Sequence, residues 1–378
     1  MATLLHDILP YDLFKQMLDG GYVRSQAHPQ YPELVVLNYT EAAQFDRVWN
    51  AATNVCRGLI VACGPNGLDG DAVVWARPFS KFHNLNTEYV PETMEANLPG
   101  GVPLVTEKLD GSMGTLYQWD GQLWIATRGS FDSDQARWAT AWARKNVNYR
   151  LYPADSTPVF EIIYQQNRIV VDYDFEGVVL LSIIDNATGY EYPRDSVEMF
   201  AAMHGFSVVP KFDKSLAQCA AENNPNEEGY VLTYTKWDGH GAPVPPTKVK
   251  VKFAAYVRLH RILTGLNPKS VWEMLSLKQD GAIAVLLSDE QMPETFKTWF
   301  SGWVTQLRFR YAEIETEAKA VFVGKPGGTR KDDALYFTKT AKPLTGILFK
   351  MLDGKPHDEV IWDMIKPKAT DTFKKDGE

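Results

Sequence analysis

Cysteine is scarce in this chain. Among 378 residues only Cys56, Cys63 and Cys219 are present, an odd number without zinc-ligand spacing. That speaks against a disulfide scaffold or a structural zinc site and suits a reducing, cytoplasmic setting. No apolar run approaches the roughly 18 residues of a membrane span. Residues 1 to 10 lack a basic segment followed by an apolar one, so neither a span nor a signal peptide is expected. Excess positive charge is missing too. Lys and Arg number 39 against 47 Asp and Glu, a net of -8, which excludes a surface coated in basic residues but not a local basic groove. The deficit is uneven. Residues 259 to 378 hold 18 basic and 17 acidic residues, which leaves 21 against 30 in the first 258. An acidic first part that handled phosphates would have to concentrate its positive charge at one site. There is no internal repeat and no Walker A motif: the basic loop from Lys325 to Lys331 lacks the spacing. With 45% hydrophobic and 12% aromatic residues the chain is globular, and it is long enough for two or three domains.

What is present centres on Glu107-Lys108-Leu109-Asp110-Gly111-Ser112. Strand-like sequence lies on either side, at 103 to 106 and 115 to 119, so Lys108 is expected at a strand end beside a tight Asp-Gly turn. Two readings are open. One is a surface hairpin with a solvated lysine. The other is a lysine that attacks phosphorus and becomes a lysyl-nucleotide. That chemistry needs a neutral amine, hence cations or desolvation to lower its pKa.

The rest of the first part offers such groups. Arg57 stands at the mouth of the apolar run Leu59-Ile60-Val61, either as a surface arginine or as a phosphate ligand. Residues 76 to 85 interleave Arg77, Lys81 and His83 with Phe79 and Phe82. Such a stretch can stack a base and hold phosphates, or form a loop whose aromatics fill the core. Lys248, Lys250 and Lys252 alternate, so on a strand they share a face. They are either a solvated edge or a phosphate-binding row that also lowers the pKa of Lys108. Glu161 lies inside the apolar strand 158 to 164, which is costly unless it pairs or binds a metal or a ligand hydroxyl. Glu228 enters a further strand, Gly229-Tyr230-Val231-Leu232.

Other strands are expected at 34 to 37, ending in a turn at Asn38, at 122 to 127, leading to Arg128-Gly129-Ser130, at 169 to 173 and at 178 to 184. A helix is expected over 132 to 147. The composition changes after Phe253. Asn267-Pro268 is a helix start, Val304, Leu307, Tyr311, Ile314 and Ala318 recur at helical spacing, and 342 to 366 reads as helical pieces. The expected class is therefore α+β, with antiparallel β-sheets and flanking helices over 1–258 and an all-α domain over 259–378. Phe373 to Glu378 are expected to fray.

Lys-x-Asp-Gly-Ser, a strand glutamate, Glu-Gly-Tyr-Val and Lys-x-Lys, in this order, resemble the covalent nucleotidyltransferases, the ATP-dependent polynucleotide ligases and RNA capping enzymes. Further pieces narrow the likeness. They are Cys56-Arg57-Gly58, Arg77-Pro78 through Lys81-Phe82 to Asn84-Leu85-Asn86, Asn167-Arg168-Ile169-Val170, and Lys250-Val251-Lys252 running on to Tyr256-Val257 and Leu259-His260. Over roughly residues 35 to 260 the chain resembles the RNA ligase 1 family of T-even phages.

The resemblance implies an ATP-dependent RNA ligase. Lys108 would take AMP from ATP, with Mg2+ or Mn2+, and pass it to an RNA 5'-phosphate, after which a 3'-hydroxyl displaces AMP. Asp110 and Gly111 would shape the turn beside the ribose and the attacked phosphate. Arg57 and Lys81 would hold the ATP phosphates, and Arg128, where the family has a lysine, would keep a charge at the ATP site. Glu161 would contact the ribose or a hydrated metal, and Glu228 would help to bind the metal. Lys250 and Lys252 would bind the α-phosphate, and Tyr256 would act in the RNA steps. The implied partners are RNA 5'-phosphate and 3'-hydroxyl ends, such as a nicked tRNA recognised by the helical part, and a separate end-healing kinase-phosphatase. The expected form is a monomer in the cytoplasm, a host's if the source is a phage. The sequence departs from the family at His83, which replaces the second aromatic of a Phe-Phe pair, and at Leu37, near a position where the family has an aromatic that touches ATP. Two competitors remain. A DNA ligase or capping enzyme would follow its last lysine motif with an OB-type barrel, whereas helix follows here. A non-catalytic nucleic-acid-binding relative would have lost one of the key residues, and all are present.

Overall fold

Runs rich in Val, Ile and Leu form the strands, all of which lie between Val23 and Lys252 in a computed structural model that describes residues 2–69, 71–147, 155–368 and 372–373. Among these residues fourteen strands form three sheets. The first sheet pairs β1 (Val23–Ala27), β2 (Leu34–Tyr39), β3 (Arg57–Ala62) and β4 (Val73–Ala76) in that order, all antiparallel. There follow β5 (His83–Asn84), β6 (Leu104–Glu107), β7 (Ser112–Trp119), β8 (Gln122–Thr127), β9 (Ser156–Ile163), β10 (Gly177–Asp185), β11 (Ser207–Val208), β12 (Lys211–Phe212), β13 (Gly229–Trp237) and β14 (Pro243–Lys252). The second sheet has the order β11-β10-β9-β7-β8, and the third β12-β6-β13-β14-β5. The class is α+β as expected, although two pairs are parallel, β10 with β11 and β14 with β5.

Packing follows the pattern of apolar faces. Leu34, Val36, Ile60 and Ala76 of the first sheet meet Tyr117, Ala126 and Phe131. The helix Asp134–Asn146, capped by Ser133, turns Ala136, Ala139 and Ala143 inward. Ala139 and Ala143 pack in the core of the second sheet, with Trp138 and Trp142 partly covered beside them.

Three local expectations need correction. Residues 169 to 173 are not a strand, because the N–H groups of Val170 and Val171 both donate to Asp110 Oδ2 at 2.9 Å instead of to a ladder. Strand β2 continues through Asn38 to Tyr39 rather than turning at Asn38, which pairs with Arg57 of β3. Most consequentially, β6 and β7 flank the Lys108 stretch but lie in different sheets. That stretch is a crossover between sheets and not a hairpin, which removes the surface-hairpin reading.

The described residues divide into two compact units between Val257 and Arg258. The second is helical. Asn267 accepts the Ser270 N–H and Pro268 takes the first helical position of Pro268–Ser276. The long helix Glu294–Val323 buries Phe296, Phe300, Val304, Leu307 and Ala318 along one stripe. Phe337, Ile347, Leu348 and Ile361 complete a core with Ala318. Phe373, expected to fray, donates its N–H to Leu266 O and stacks near Phe296 and Trp299. Residues 374–378 lie outside the described residues. No helix among the described residues is long and apolar enough to cross a membrane.

Candidate active site

Strand register builds the site. The Lys108 N–H donates to Gly229 O at 2.8 Å, and Gly229 lies opposite Lys252. Two residues along, Thr106, Val231 and Lys250 form a row across β6, β13 and β14, and Leu104, Thr233 and Lys248 form the row beyond it. Side chains two apart on a strand share a face. The three lysines of β14 therefore do line one face, but not as a solvated edge, since β5 pairs with β14 at Val249 and Lys250.

Their partners differ. Lys108 Nζ lies 2.7 Å from Glu228 Oε2, and Lys252 Nζ lies 2.8 Å from Glu228 Oε1. Glu228 is 3% exposed. Burial pushes its carboxyl up, but Lys108 and Lys252 outweigh burial and hold it below the ordinary range. Burial pushes the Lys108 amine down, yet Glu228, Glu161 and Asp110 win and hold it above the ordinary lysine value. The net shift of Lys108 is thus the reverse of the expected lowering, because the acidic groups, Glu228 first, outweigh burial. Lys250 is held well below the ordinary lysine value, by burial first and then by Lys108, Arg57, Lys81 and Lys252. Lys248 has left the phosphate-binding row for a buried ion pair with Glu191 at 2.8 Å, its ammonium 3.8 Å from the Phe79 ring centre. Glu191 belongs to no motif and was invisible in the sequence.

Asp110 holds the crossover in place. It is 4% exposed. Its Oδ2 accepts from Val170 and Val171, its Oδ1 accepts from the Tyr256 hydroxyl at 2.8 Å, and its own N–H donates to the Tyr173 hydroxyl at 2.7 Å. Hydrogen bonds to a charged acceptor are the stronger kind. Both carboxylate oxygens are engaged, so Asp110 supports the crossover beneath Lys108, and the Tyr256 hydroxyl meets Asp110. Gly111 is required by close approach: a Cβ there would lie 2.5 Å from Ile162 O and 3.1 Å from Glu161 Cγ. Gly111→Ala is expected to displace β9 together with Glu161. A displacement of that size costs on the order of 10²-fold in the rate of chemistry at this cleft, with a urea melt as the folding control.

Glu161 faces the same cleft from β9. Burial pushes its carboxyl up to about 8 against the pull of Lys108, with Glu228 and Asp110 pushing the same way. The shift favours the protonated form, which can donate a hydrogen bond.

Three cations gather around Tyr39. Arg128 donates to the Tyr39 hydroxyl at 2.9 Å and Lys81 at 3.2 Å, while Lys81 also lies 4.6 Å from the Trp49 ring centre. Arg57 donates to Phe79 O at 3.4 Å. Burial pushes the Tyr39 hydroxyl up, but Arg128, Arg57 and Lys81 outweigh it and hold it below its ordinary value. Among the described residues none of these three cations has a carboxylate within ion-pair distance, an arrangement that suits a polyanion. A bulge aims Arg57. Gly58, at φ +83°, is the extra residue between the pairs Leu37–Leu59 and Asn38–Arg57, and a Cβ there would lie 3.1 Å from Arg128 Cα. Leu37, the position compared in the sequence, is buried in the core, and Tyr39 is the aromatic that reaches the cations. The signal for it was a tyrosine at the end of the strand opposite an Arg-Gly pair.

Lys108, Glu161, Lys250, Arg57 and Arg128 line one cleft of about 860 Å3, open mouth included, with Phe82, Leu181, Val209 and Val231 as apolar walls. A separate cleft is lined by Asp110, Asn167, Arg168 and Tyr173 and by no lysine. Among the described residues no three His, Cys, Asp or Glu side chains gather to hold a metal. Glu161 and Glu228 face Lys108, and two lysines already hold Glu228. Such a donor set fits an ion of the magnesium type, bound mainly by water and substrate phosphates, and not a protein-built cage.

The family model described as RNA ligase matches residues 55–256 of this chain. A Thermovibrio ammonificans protein provisionally named an RNA ligase is 31% identical across 51% of this chain, a match that spans about half (51%) of its own length. The RNA ligase of Rhodothermus phage RM378 is 26% identical, over 68% of this chain and 71% of that protein. Among solved structures, an archaeal ATP-dependent RNA ligase is matched over 92% of this chain and 96% of its own, with 12% identity and a TM-score of 0.45.

Proposed function

The chain belongs to the RNA ligase family, and from that membership we propose that it is an ATP-dependent RNA ligase working through a lysyl-AMP intermediate on Lys108. The observation that carries this reading is one cleft that holds Lys108 at a strand end, Lys250 on the adjoining sheet face, and Arg57 and Arg128, neither with a carboxylate at ion-pair distance among the described residues, while Lys81 joins Arg128 at the Tyr39 hydroxyl beside it.

In the first transfer Lys108 Nζ loses a proton and attacks the α-phosphorus of ATP. The bond to pyrophosphate breaks, and pyrophosphate leaves with the electron pair toward Arg57, Lys81 and Arg128. Lys250 and Lys252 stabilise charge on the α-phosphate, and the incoming anion favours the charged form of Lys250. Leu181, Val231 and Phe82 offer apolar faces to the adenine, and protonated Glu161 can donate to a ribose hydroxyl. A divalent cation, when bound, would neutralise triphosphate charge, and Glu228, together with Glu161 once the cation's charge had drawn off its proton, would face it. The AMP then passes to an RNA 5'-phosphate, and a 3'-hydroxyl displaces it to form the phosphodiester. Residues 1–258 are the catalytic domain in this reading. The helical domain 259–378 recognises the RNA, such as a broken tRNA whose ends a separate kinase-phosphatase has prepared. The protein works in repair, as a monomer in the cytoplasm.

The test is ATP labelled on the α-phosphate, with Mg2+ and no RNA, followed by denaturation. Label is expected on the protein and is expected to leave it when 5'-phosphorylated RNA is added. Because Lys108 is held above the ordinary lysine value, its neutral fraction rises tenfold per pH unit, and labelling should accelerate from pH 6 to pH 9. No label on protein first stripped of bound AMP with pyrophosphate would sink the reading.

A further inference from the structure

The lysyl-AMP reading, on which this inference rests, constrains where RNA must come from. Phosphoryl transfer is in line. In the first transfer Lys108 attacks and pyrophosphate leaves from the opposite side of the phosphorus. In the second Lys108 is the leaving group, so the attacking RNA 5'-phosphate must stand opposite it. The RNA end therefore approaches along the path by which pyrophosphate departs, past Arg57, Lys81 and Arg128.

A second groove, about 1200 Å3 with its mouth, opens on that side. It contains Lys81 and shares Phe79, Phe82 and Lys248 with the nucleotide cleft. Its wall is aromatic. The rings of Trp49 and His83 meet edge to face at 5.3 Å, those of His83 and Tyr89 at 6.1 Å, and Tyr89 is 46% exposed. The exposed Arg47 lies over the Tyr89 ring at 4.6 Å, and the exposed Lys236 also lines the groove. Of the acidic residues there, Glu191 is neutralised by Lys248, which leaves Glu92 against Lys81 and Lys236. Burial pushes His83 down to about 4, with Lys81 and Lys250 pressing the same way, so its ring is neutral at physiological pH. A stacking surface with cations at its rim is what single-stranded nucleic acid uses without base-specific contacts.

We propose that this groove seats the 5'-terminal nucleotides of the RNA, a base stacked on the Tyr89–His83 wall and the backbone met by Lys236 and Arg47. Arg57, Lys81 and Arg128 then act twice, first on the departing pyrophosphate and next on the arriving 5'-phosphate. In that second step a 5'-phosphate oxygen bonds to the α-phosphorus and the P–N bond breaks. Lys108 Nζ leaves with the electron pair and takes a proton from water.

The test uses Tyr89→Ala, Lys236→Ala, the double variant and Tyr89→Phe in the full chain. Each is first charged with labelled ATP without RNA, and charging at the wild-type rate is expected, which also shows that the variants are folded. Labelled enzyme is then mixed with limiting 5'-phosphorylated single-stranded RNA, and transfer of AMP is followed in a single turnover. Loss of one base stack should slow transfer by roughly 5- to 100-fold in Tyr89→Ala, less in Lys236→Ala with a weaker salt dependence, and little in Tyr89→Phe. Transfer at the wild-type rate in the double variant would overturn the proposal. So would an equal loss in charging and transfer, since the groove would then serve ATP. Absence of charging in the unmodified protein would overturn the ligase reading itself, and that failure shows before any RNA is added.

Discussion

Lys108→Ala takes no label from ATP, in our expectation, yet still joins RNA that is supplied with AMP already on its 5'-phosphate. The two results come from different steps. In the proposed mechanism only the charging and transfer steps form or break a bond at Nζ. The last step uses an RNA 3'-hydroxyl as nucleophile and AMP as leaving group, and its electrostatic needs fall on groups that the substitution leaves intact, among them Lys250, Lys252 and Arg57. The variant should also fold. Removing Lys108 deletes one of two cations at Glu228, and Lys252 remains 2.8 Å from the other oxygen, so the carboxylate is not stranded. The measurement is gel-resolved label on the protein beside sealing of pre-adenylated RNA. Label retained in Lys108→Ala would move the nucleophile to Lys250, whose amine burial favours as neutral. Loss of both activities with a normal melting curve would mean that Lys108 also positions the RNA ends.

The sequence carried the site as far as local periodicity reaches. Lys250 and Lys252 share a face because alternation in a strand needs no distant information, and the helix start at Asn267-Pro268 is equally local. What it could not carry were partners chosen in three dimensions. Lys248 looked like a third phosphate ligand until Glu191, 57 positions away, claimed it. The segment 169 to 173 has strand composition, but its amides are drawn to Asp110, 60 positions earlier. Asp110-Gly111 has the composition of a hairpin turn, and nothing local says that its flanking strands join different sheets. Tyr39 was missed because the Gly58 bulge shifts the register between β2 and β3 by one residue. The protonation state of Lys108 was misjudged for the same reason: its nearest charge is Glu228, not the lysine row.

Glu228→Gln should be the costliest conservative change for stability. It leaves the charges of Lys108 and Lys252 without the buried anion that they share. Removing one partner of a buried pair costs about 3–5 kcal/mol, which for a domain of this size lowers the thermal midpoint by roughly 10 °C. The loss has a pH window with a definite sign. The folded pKa of Glu228 is depressed, so its contribution is present above the ordinary carboxylate value of about 4.3 and fades as pH falls through the folded value. The folded pKa of Lys108 is raised, so its contribution is present below about 10.4 and is lost as pH rises through the folded value. The gap between wild type and variant should therefore be widest near neutrality and close as pH falls through the depressed folded value of Glu228. A second change separates stranded charge from lost shape. Adding Lys252→Met to Glu228→Gln removes one of the two unpaired cations and should recover part of the midpoint, a positive coupling in a double-mutant cycle. Charging moves the opposite way: without Glu228 the amine of Lys108 gives up its proton more readily, and the pH profile of labelling should shift toward acid. A midpoint unchanged by Glu228→Gln, with an unshifted profile, would mean that Lys108 is not held by this carboxylate in solution, and that other groups set the protonation of its amine.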